Sequence, residues 1–520
     1  MRTRILVNKA KPALTLSIIL ALCPFIWGFL GHGADDKRQL LGHVKPKHAM
    51  EIQNSPWGIQ AGTLDEEIIA KAAEIGVKWT RLQASWSEIE RSPGVYIWDE
   101  TDKAFSTAIK MGITPFVTIG GSNGLYTAWN TNVDPKLTEI YGKHRLPPTS
   151  NPQAMSAWLK FVEQVVLRYK GTIKYWEIWN EPNHFAYWGD EPNGKEYGRL
   201  LNESAKVVKR VDPQVFVIAG ALAGLDPEYT DEFLSMDNRS LVDIITFHNY
   251  GSIPEERIYK ALQTWDVINR YNPAIKLWQG ECGYPSHSST RDYRGTSPWG
   301  PTVQAKWLLR QAFTDTYFCR ASMSNYFKLF HGGGRGVLPK RSFLTSVDSV
   351  LGFPERGGAR VKVVGVNEKC LLENPTLEPK PGFAAYQNLC ALVDGRYKPY
   401  EIKNRVIVQD EGVFYGIGSE DDAFPSIPLV ASYRTEKGRS LVAYWLPWHP
   451  QELIRPATVR IEFKGLAIND PVLVDPLDGK VYKLTQPLNE NGTLIFDRIP
   501  LTDYPLIIVE RSEVEIVPAQ

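Results

Sequence analysis

The sequence predicts an α/β fold, a (β/α)8 TIM barrel with a C-terminal β-sandwich domain. Three observations carry this. Eight short apolar runs alternate with stretches of helical spacing between about Trp57 and Cys390. The runs are mostly continuous and not alternating, the pattern of parallel strands buried on both faces. After Tyr400 the texture changes to short β-rich runs, with Lys437-Gly438 and Asp478-Gly479 placed between them as hairpin turns.

In chain order the eight runs are Trp57–Gln60, Lys78–Leu82, Ile113–Ile119, Tyr175–Asn180, Phe216–Gly220, Asp243–His248, Ile275–Gly280 and Ser324–Phe330. The stretches between them carry helix punctuation. Asp65–Ile75 is stopped by Gly76. Pro152–Tyr169 starts from Asn151 as N-cap with Pro152 at the first helical position, and Gly171 lies beyond its end. Eight such strand–helix units suit one barrel over residues 50–398. The later runs, among them Leu429–Tyr433, Leu441–Leu446, Thr458–Phe463 and Leu506–Val509, place the sandwich over residues 399–520. No low-complexity linker separates the two, so a firm interface is expected.

Residues 1–34 read as a signal peptide or an N-terminal membrane anchor. Arg2, Arg4, Lys9 and Lys11 precede an uncharged stretch from Ala13 to Gly31, followed by the small residues Gly33 and Ala34. Pro24 and Gly28 interrupt a helix there and favour cleavage. The rest of the chain is expected to be exported, secreted or periplasmic, with a membrane touched only through such an anchor.

Composition narrows the function. The chain has 520 residues, 43% hydrophobic and 22% charged, with 59 basic against 58 acidic side chains. A folded protein follows, and a general nucleic-acid surface does not, because there is no basic excess. The 16 Trp and 23 Tyr supply flat faces suited to sugar rings. Cys282, Cys319, Cys370 and Cys390 show no zinc-type spacing, and neither a metal nor another cofactor is expected. Cys282 and Cys319 belong at opposite ends of a barrel, too far apart to bridge; if any disulfide forms, Cys370–Cys390 is the expected one.

Reactive groups of such a barrel lie at the C-terminal ends of its strands. The fourth run ends Trp176-Glu177-Ile178-Trp179-Asn180-Glu181-Pro182 and the seventh Leu277-Trp278-Gln279-Gly280-Glu281. Two carboxylates thus face one mouth. Glycosidic bond cleavage needs such a pair, one to protonate the leaving oxygen and one to attack or to activate water. A catalytically silent glycan-binding barrel is the alternative, and it has no chemical need for both.

Trp179-Asn180-Glu181-Pro182 resembles the acid/base signature of glycoside hydrolase clan A, and Trp278-Gln279-Gly280-Glu281 resembles its nucleophile signature. The segment Trp86…Glu90…Pro93-Gly94-Val95-Tyr96…Trp98 is similar to the region after the second strand in family 39, the β-xylosidase-like enzymes, and in their family 5 relatives. The resemblance implies a retaining hydrolase that cleaves O-glycosidic bonds of a plant, algal or microbial glycan by double displacement. Glu181 is then the acid/base and Glu281 the nucleophile. Asn180 holds the sugar 2-hydroxyl, Arg81 keeps Glu281 ionised, Tyr250 donates to Glu281 and His248 orients the acid/base or a hydroxyl. Many clan members end strand 8 in Trp; this chain has none there, and Phe330 or His331 is expected to take that place. Trp188, Trp129, Tyr126, Tyr284 and Trp299 are expected in loops over the mouth as stacking residues. The segment Gly332–Lys362 carries six basic residues against Asp348 and Glu355, which suggests an acidic or sulfated oligo- or polysaccharide.

Overall fold

A computed structural model describes residues 38–61, 65–237, 239–250, 253–286, 299–330, 369–373, 376–414, 427–450 and 453–519. Residues 1–34, for which an export signal or anchor was expected, His331 and the basic segment 332–362 lie outside the described residues. Among the described residues no helix is long and apolar enough to cross a membrane.

Eight parallel strands close into a barrel: β1 (Trp57–Gln60), β2 (Trp79–Ser85), β3 (Thr114–Gly120), β4 (Tyr175–Ile178), β5 (Phe216–Ala223), β6 (Ile244–His248), β7 (Lys276–Cys282) and β8 (Ser324–Phe327). They stand in chain order around the barrel, and β8 pairs with β1 to close it, Ser324 opposite Trp57 and Phe327 opposite Gln60. All eight expected runs are strands, but several C-terminal ends shift: β2 and β5 each run three residues past the expected end, to Ser85 and Ala223. β4 stops at Ile178, so Trp179, Asn180 and Glu181 lie beyond the ladder, and β8 stops at Phe327, three residues short of the expected Phe330.

The helices form where the sequence signals place them. Glu66–Ile75 is capped by the Asp65 side chain, which accepts from the Glu67 amide, and ends at Gly76 with φ 91°. Its Ile68, Ile69, Ala72, Ala73 and Ile75 face inward, following the 3.6-residue period. In Pro152–Arg168 the Asn151 side chain accepts from the Ala154 amide, and Ala154, Trp158, Phe161, Val162, Val165 and Val166 form the buried stripe. Burying each large side chain of this kind contributes about 1.5–3 kcal/mol.

The sandwich consists of an eight-stranded and a four-stranded antiparallel sheet. The larger sheet includes Leu40–Val44, a strand that precedes the barrel in sequence and pairs with both Lys480–Lys483 and Ile516–Pro518. The sandwich is therefore completed from the far end of the chain. Helix Pro301–Phe313 lies against it, with every residue from Val303 to Phe313 buried. Its charged residues are paired, Lys306 with Asp503 of the sandwich at 2.9 Å and Arg310 with Glu255 at 2.7 Å. The Trp445 indole of the sandwich also donates to Glu255, at 2.9 Å. Such buried charges are tolerated because each has a close partner.

Cys282, Cys319, Cys370 and Cys390 are buried free thiols. The Cys370–Cys390 bridge singled out from the sequence is not made. Burial pushes the Cys370 thiol up to about 11, so it stays protonated at neutral pH.

Candidate active site

The C-terminal mouth of the barrel is assembled on a buried polar layer. Arg81 of β2 is 5% exposed and points inward. Its Nε and Nη2 donate to Glu177 of β4 at 2.8 and 2.6 Å, its Nη1 to Glu281 of β7 at 2.7 Å, and its Nη2 also to the Asn180 side-chain oxygen at 2.8 Å. Glu177 is fully buried and also accepts from the hydroxyls of Thr118 at 2.6 Å and Thr246 at 2.5 Å. Burial would lower the pKa of Arg81, but the facing carboxylates of Glu177 and Glu281 raise it, so the guanidinium is always charged.

Glu281 lies between Arg81 on one oxygen and Tyr250, which donates to the other at 2.5 Å. Burial pushes its carboxyl pKa up. His248, Arg81, the Tyr250 hydroxyl and Lys369 oppose this, and the balance falls below the ordinary carboxylate value. A carboxylate so held stays ionised and carries a lone pair toward the mouth.

Glu181 follows a tight exit from β4. Both Trp179, with φ 72°, and Glu181, with φ 47°, adopt left-handed backbone without being glycine. Each such residue costs roughly 1–3 kcal/mol, a strain that clusters at functional sites. The exit is fixed from outside: the Glu181 amide donates to the Ala221 carbonyl at 2.9 Å, and the Ala221 amide donates to the Thr246 hydroxyl at 2.9 Å. The Glu181 carboxylate sits 2.9 Å from His248 Nδ1, and His248 Nε2 is buried without a hydrogen-bond partner among the described residues.

One donor atom each from Glu181, His248 and Glu281 lies within 4.8 Å of the others. This set could hold a cation by distance alone. Both Glu281 oxygens are already engaged by Arg81 and Tyr250, however, and a cation there would face the guanidinium. The chemistry of the set suits two carboxylates acting on one bond better than metal ligation.

The structure brings Arg81, Asn180, Glu181, His248, Tyr250 and Glu281 into one constellation. The expected aromatic residues fare differently. Trp188 is fully buried, packed edge-on against Trp179 at 5.7 Å and near Tyr197, so it has no face to offer a sugar. Phe330 is 1% exposed and belongs to the core. Tyr284 is buried and stacks on Trp307 at 5.5 Å, and Trp299 is buried as well. Tyr126 stacks on Trp86 at 5.4 Å and donates to Glu90 at 2.8 Å; burial and that carboxylate push its phenol up to about 12. These rings were assigned to the mouth because they follow strand ends, yet each is consumed by packing. Trp129 is 49% exposed, with Arg145 covering one face at 4.2 Å, which leaves the other available.

Four residues at or beneath the mouth were not singled out from the sequence. Glu177 holds Arg81. Phe327 occupies the tip of β8, half-buried and edge-to-face with Tyr250 at 5.7 Å. Tyr187, in the short helix Phe185–Trp188, keeps part of its side chain at the surface, and burial of its hydroxyl, then Glu181 and Glu281, push its phenol pKa up. Lys369 adds a cation 3.8 Å from the Tyr250 ring.

No protein-family profile matches the chain. Over 166 residues it is 27% identical to a β-xylosidase of Geobacillus stearothermophilus, covering 30% of this chain and 31% of that one. Over 208 residues it is 26% identical to an aryl-phospho-β-D-glucosidase of Bacillus subtilis, covering 37% and 38%. The chain thus spans about a third of the length of the curated relatives it matches. Among solved structures, it is similar to a family 39 glycoside hydrolase of Bacteroides cellulosilyticus WH2, with TM-score 0.60 and 16% identity over 88% of this chain and 81% of the other. It is also similar to a monomeric β-xylosidase of Caulobacter crescentus CB15, with TM-score 0.52 and 17% identity over 90% and 97%. A family 30 subfamily 8 xylanase of Clostridium acetobutylicum aligns with TM-score 0.55 and 11% identity over 90% and 97%. The fold is that of the clan A glycoside hydrolases of families 39 and 30, a closed (β/α)8 barrel joined to a β-sandwich.

Proposed function

We propose that the chain is a retaining glycoside hydrolase. The observation that carries this is the pairing of Glu181 and Glu281 from β4 and β7, with an oxygen of each within 4.8 Å of the other. Retaining enzymes hold their carboxyl groups about 5–5.5 Å apart, whereas inverting enzymes leave about 6.5–9.5 Å for a water molecule. In this reading Glu281, held ionised by Arg81 and Tyr250, attacks the anomeric carbon. Glu181 protonates the departing oxygen. A glycosyl ester on Glu281 results, and Glu181 then takes a proton from the water that hydrolyses it. Because the Asn180 oxygen accepts from Arg81, its amide N–H groups remain to donate to the sugar 2-hydroxyl.

The substrate in this proposal is an oligo- or polysaccharide. Lys369, close to Tyr250 and lowering the pKa of Glu281, supports an acidic or sulfated sugar at the mouth. The test is a panel of aryl glycosides and matched neutral and acidic oligosaccharides, assayed with the wild type and with Glu281→Ala across a salt series. Hydrolysis by the wild type that Glu281→Ala abolishes is expected. Binding without turnover of any glycan by the wild type would instead favour a silent glycan-binding barrel. Equal turnover of neutral and acidic glycans at every salt concentration would remove the acidic preference.

A further inference from the structure

Nothing in the double-displacement chemistry calls for a third glutamate, yet Glu177 is fully buried at the centre of the layer beneath the mouth. A buried carboxylate is costly unless it is paired and hydrogen-bonded, and here two of its three neighbours, Arg81 and Thr246, lead to residues of the site. Two paths start from it. Along the first, Glu177 takes Arg81 Nε and Nη2 at 2.8 and 2.6 Å, which fixes the plane of the guanidinium. That plane aims Nη1 at Glu281 and turns the second Nη2 hydrogen to the Asn180 oxygen. An arginine fork held at one edge has little freedom at the other.

The second path runs through Thr246. Its hydroxyl donates to the other Glu177 oxygen at 2.5 Å and accepts from the Ala221 amide at 2.9 Å. Ala221 has φ 45°, a left-handed conformation that a side-chain-bearing residue keeps only under external restraint. Its carbonyl receives the Glu181 amide at 2.9 Å. The strained exit from β4 that presents Glu181 is therefore tied to the same carboxylate. Thr118 supplies a further bond to Glu177, at 2.6 Å.

We propose that Glu177 is a positioning residue that sets both glutamates at once: Glu281 and the Asn180 amide through Arg81, and the backbone of Glu181 through Thr246 and Ala221. This rests on the hydrolase reading above. If the Arg81 path transmits to Asn180, the loss caused by disturbing Glu177 depends on whether the sugar carries a 2-hydroxyl. A merely structural role carries no such dependence.

The experiment compares wild type, Glu177→Gln and Thr118→Val on an aryl glycoside that the wild type hydrolyses and on its 2-deoxy counterpart. Glu177→Gln removes the charge and keeps the shape. Thr118→Val leaves the charge and removes one bond to it, and so gives a gentler variant should Glu177→Gln fail to fold. In the wild type the 2-hydroxyl is expected to be worth about 10- to 100-fold in kcat/KM, the range of a hydrogen bond that strengthens in the transition state. In Glu177→Gln that preference is expected to shrink at least tenfold, mostly through kcat, and in Thr118→Val about threefold. Equal losses on both substrates, or an unchanged 2-hydroxyl preference in both variants, would overturn the inference while leaving the hydrolase reading intact. A wild type that turns over no glycoside would remove the hydrolase reading and the inference with it.

Discussion

Replacing Arg81 with methionine removes the one guanidinium that Glu177, Glu281 and the Asn180 oxygen share, and keeps a side chain about as long as the arginine's aliphatic stem. Breaking a buried ion pair by deleting one partner costs about 3–5 kcal/mol, because the other charge is stranded. The two carboxylates do not double this figure, since they draw on the same cation and can take up protons once it is gone. The expected loss at pH 7 is therefore about 3–5 kcal/mol. The pH dependence has a definite sign. In the wild type the Glu281 pKa is depressed, so its stabilising contribution is present above the ordinary carboxylate value of 4.5 and is lost as pH falls through the lower folded-state value. In Arg81→Met the Glu281 carboxyl, without its guanidinium, is raised instead. The folded protein then binds more protons than the unfolded chain between the ordinary and the raised value, and stability falls as pH rises through that window. Each unit of that raise is worth about 1.4 kcal/mol. Urea denaturation followed by tryptophan fluorescence at half-unit steps from pH 4 to 8 reads both effects. A loss under about 1 kcal/mol at pH 7, or a pH slope equal to that of the wild type, would refute the assignment of Arg81 as the shared counter-ion.

Two of the tryptophans expected at the mouth, Trp188 and Trp129, should separate cleanly. Trp188→Ala, which empties a fully buried site, should destabilise the protein by about 3–5 kcal/mol, whereas the half-exposed Trp129→Ala should leave stability within about 1 kcal/mol and act, if at all, on KM. Lys306→Met removes the cation that pairs with buried Asp503 of the sandwich and should lower the thermal midpoint without loss of the catalytic pH profile. Cys282, Cys319, Cys370 and Cys390 should be unreactive toward a thiol reagent in the folded protein and should all react in denaturant without prior reduction; a thermal midpoint that drops on adding dithiothreitol would contradict this.

The barrel was legible in the sequence because parallel strands buried on both faces must be written as apolar runs, and all eight runs became strands. The site's glutamates were legible for the same reason, since the strand ends point to them. What the runs could not give were their own C-terminal ends. β4 leaves the ladder at Ile178 through left-handed Trp179 and Glu181, and no glycine marks the turn. β8 ends at Phe327, so the tip belongs to that ring and Phe330 passes into the core. Trp188 was misplaced because a loop position does not say whether a ring faces solvent or the neighbouring helices. Glu177 lies 96 residues from Arg81, and their pairing depends on both side chains pointing into the barrel. The signal was present, as one charge of each sign set within an apolar run, but only closure of the barrel joins them. Leu40–Val44 likewise enters the sandwich by pairing with strands more than 400 residues away.

The central claim is that Glu281 attacks the sugar while Glu181 first gives and then takes a proton. It is tested most directly by the configuration of the first product. Hydrolysis of a single-anomer aryl glycoside followed by proton NMR within the first turnovers reports the anomeric signal before mutarotation mixes it. The account expects a product of the same anomeric configuration as the substrate; a first product of opposite configuration would contradict it.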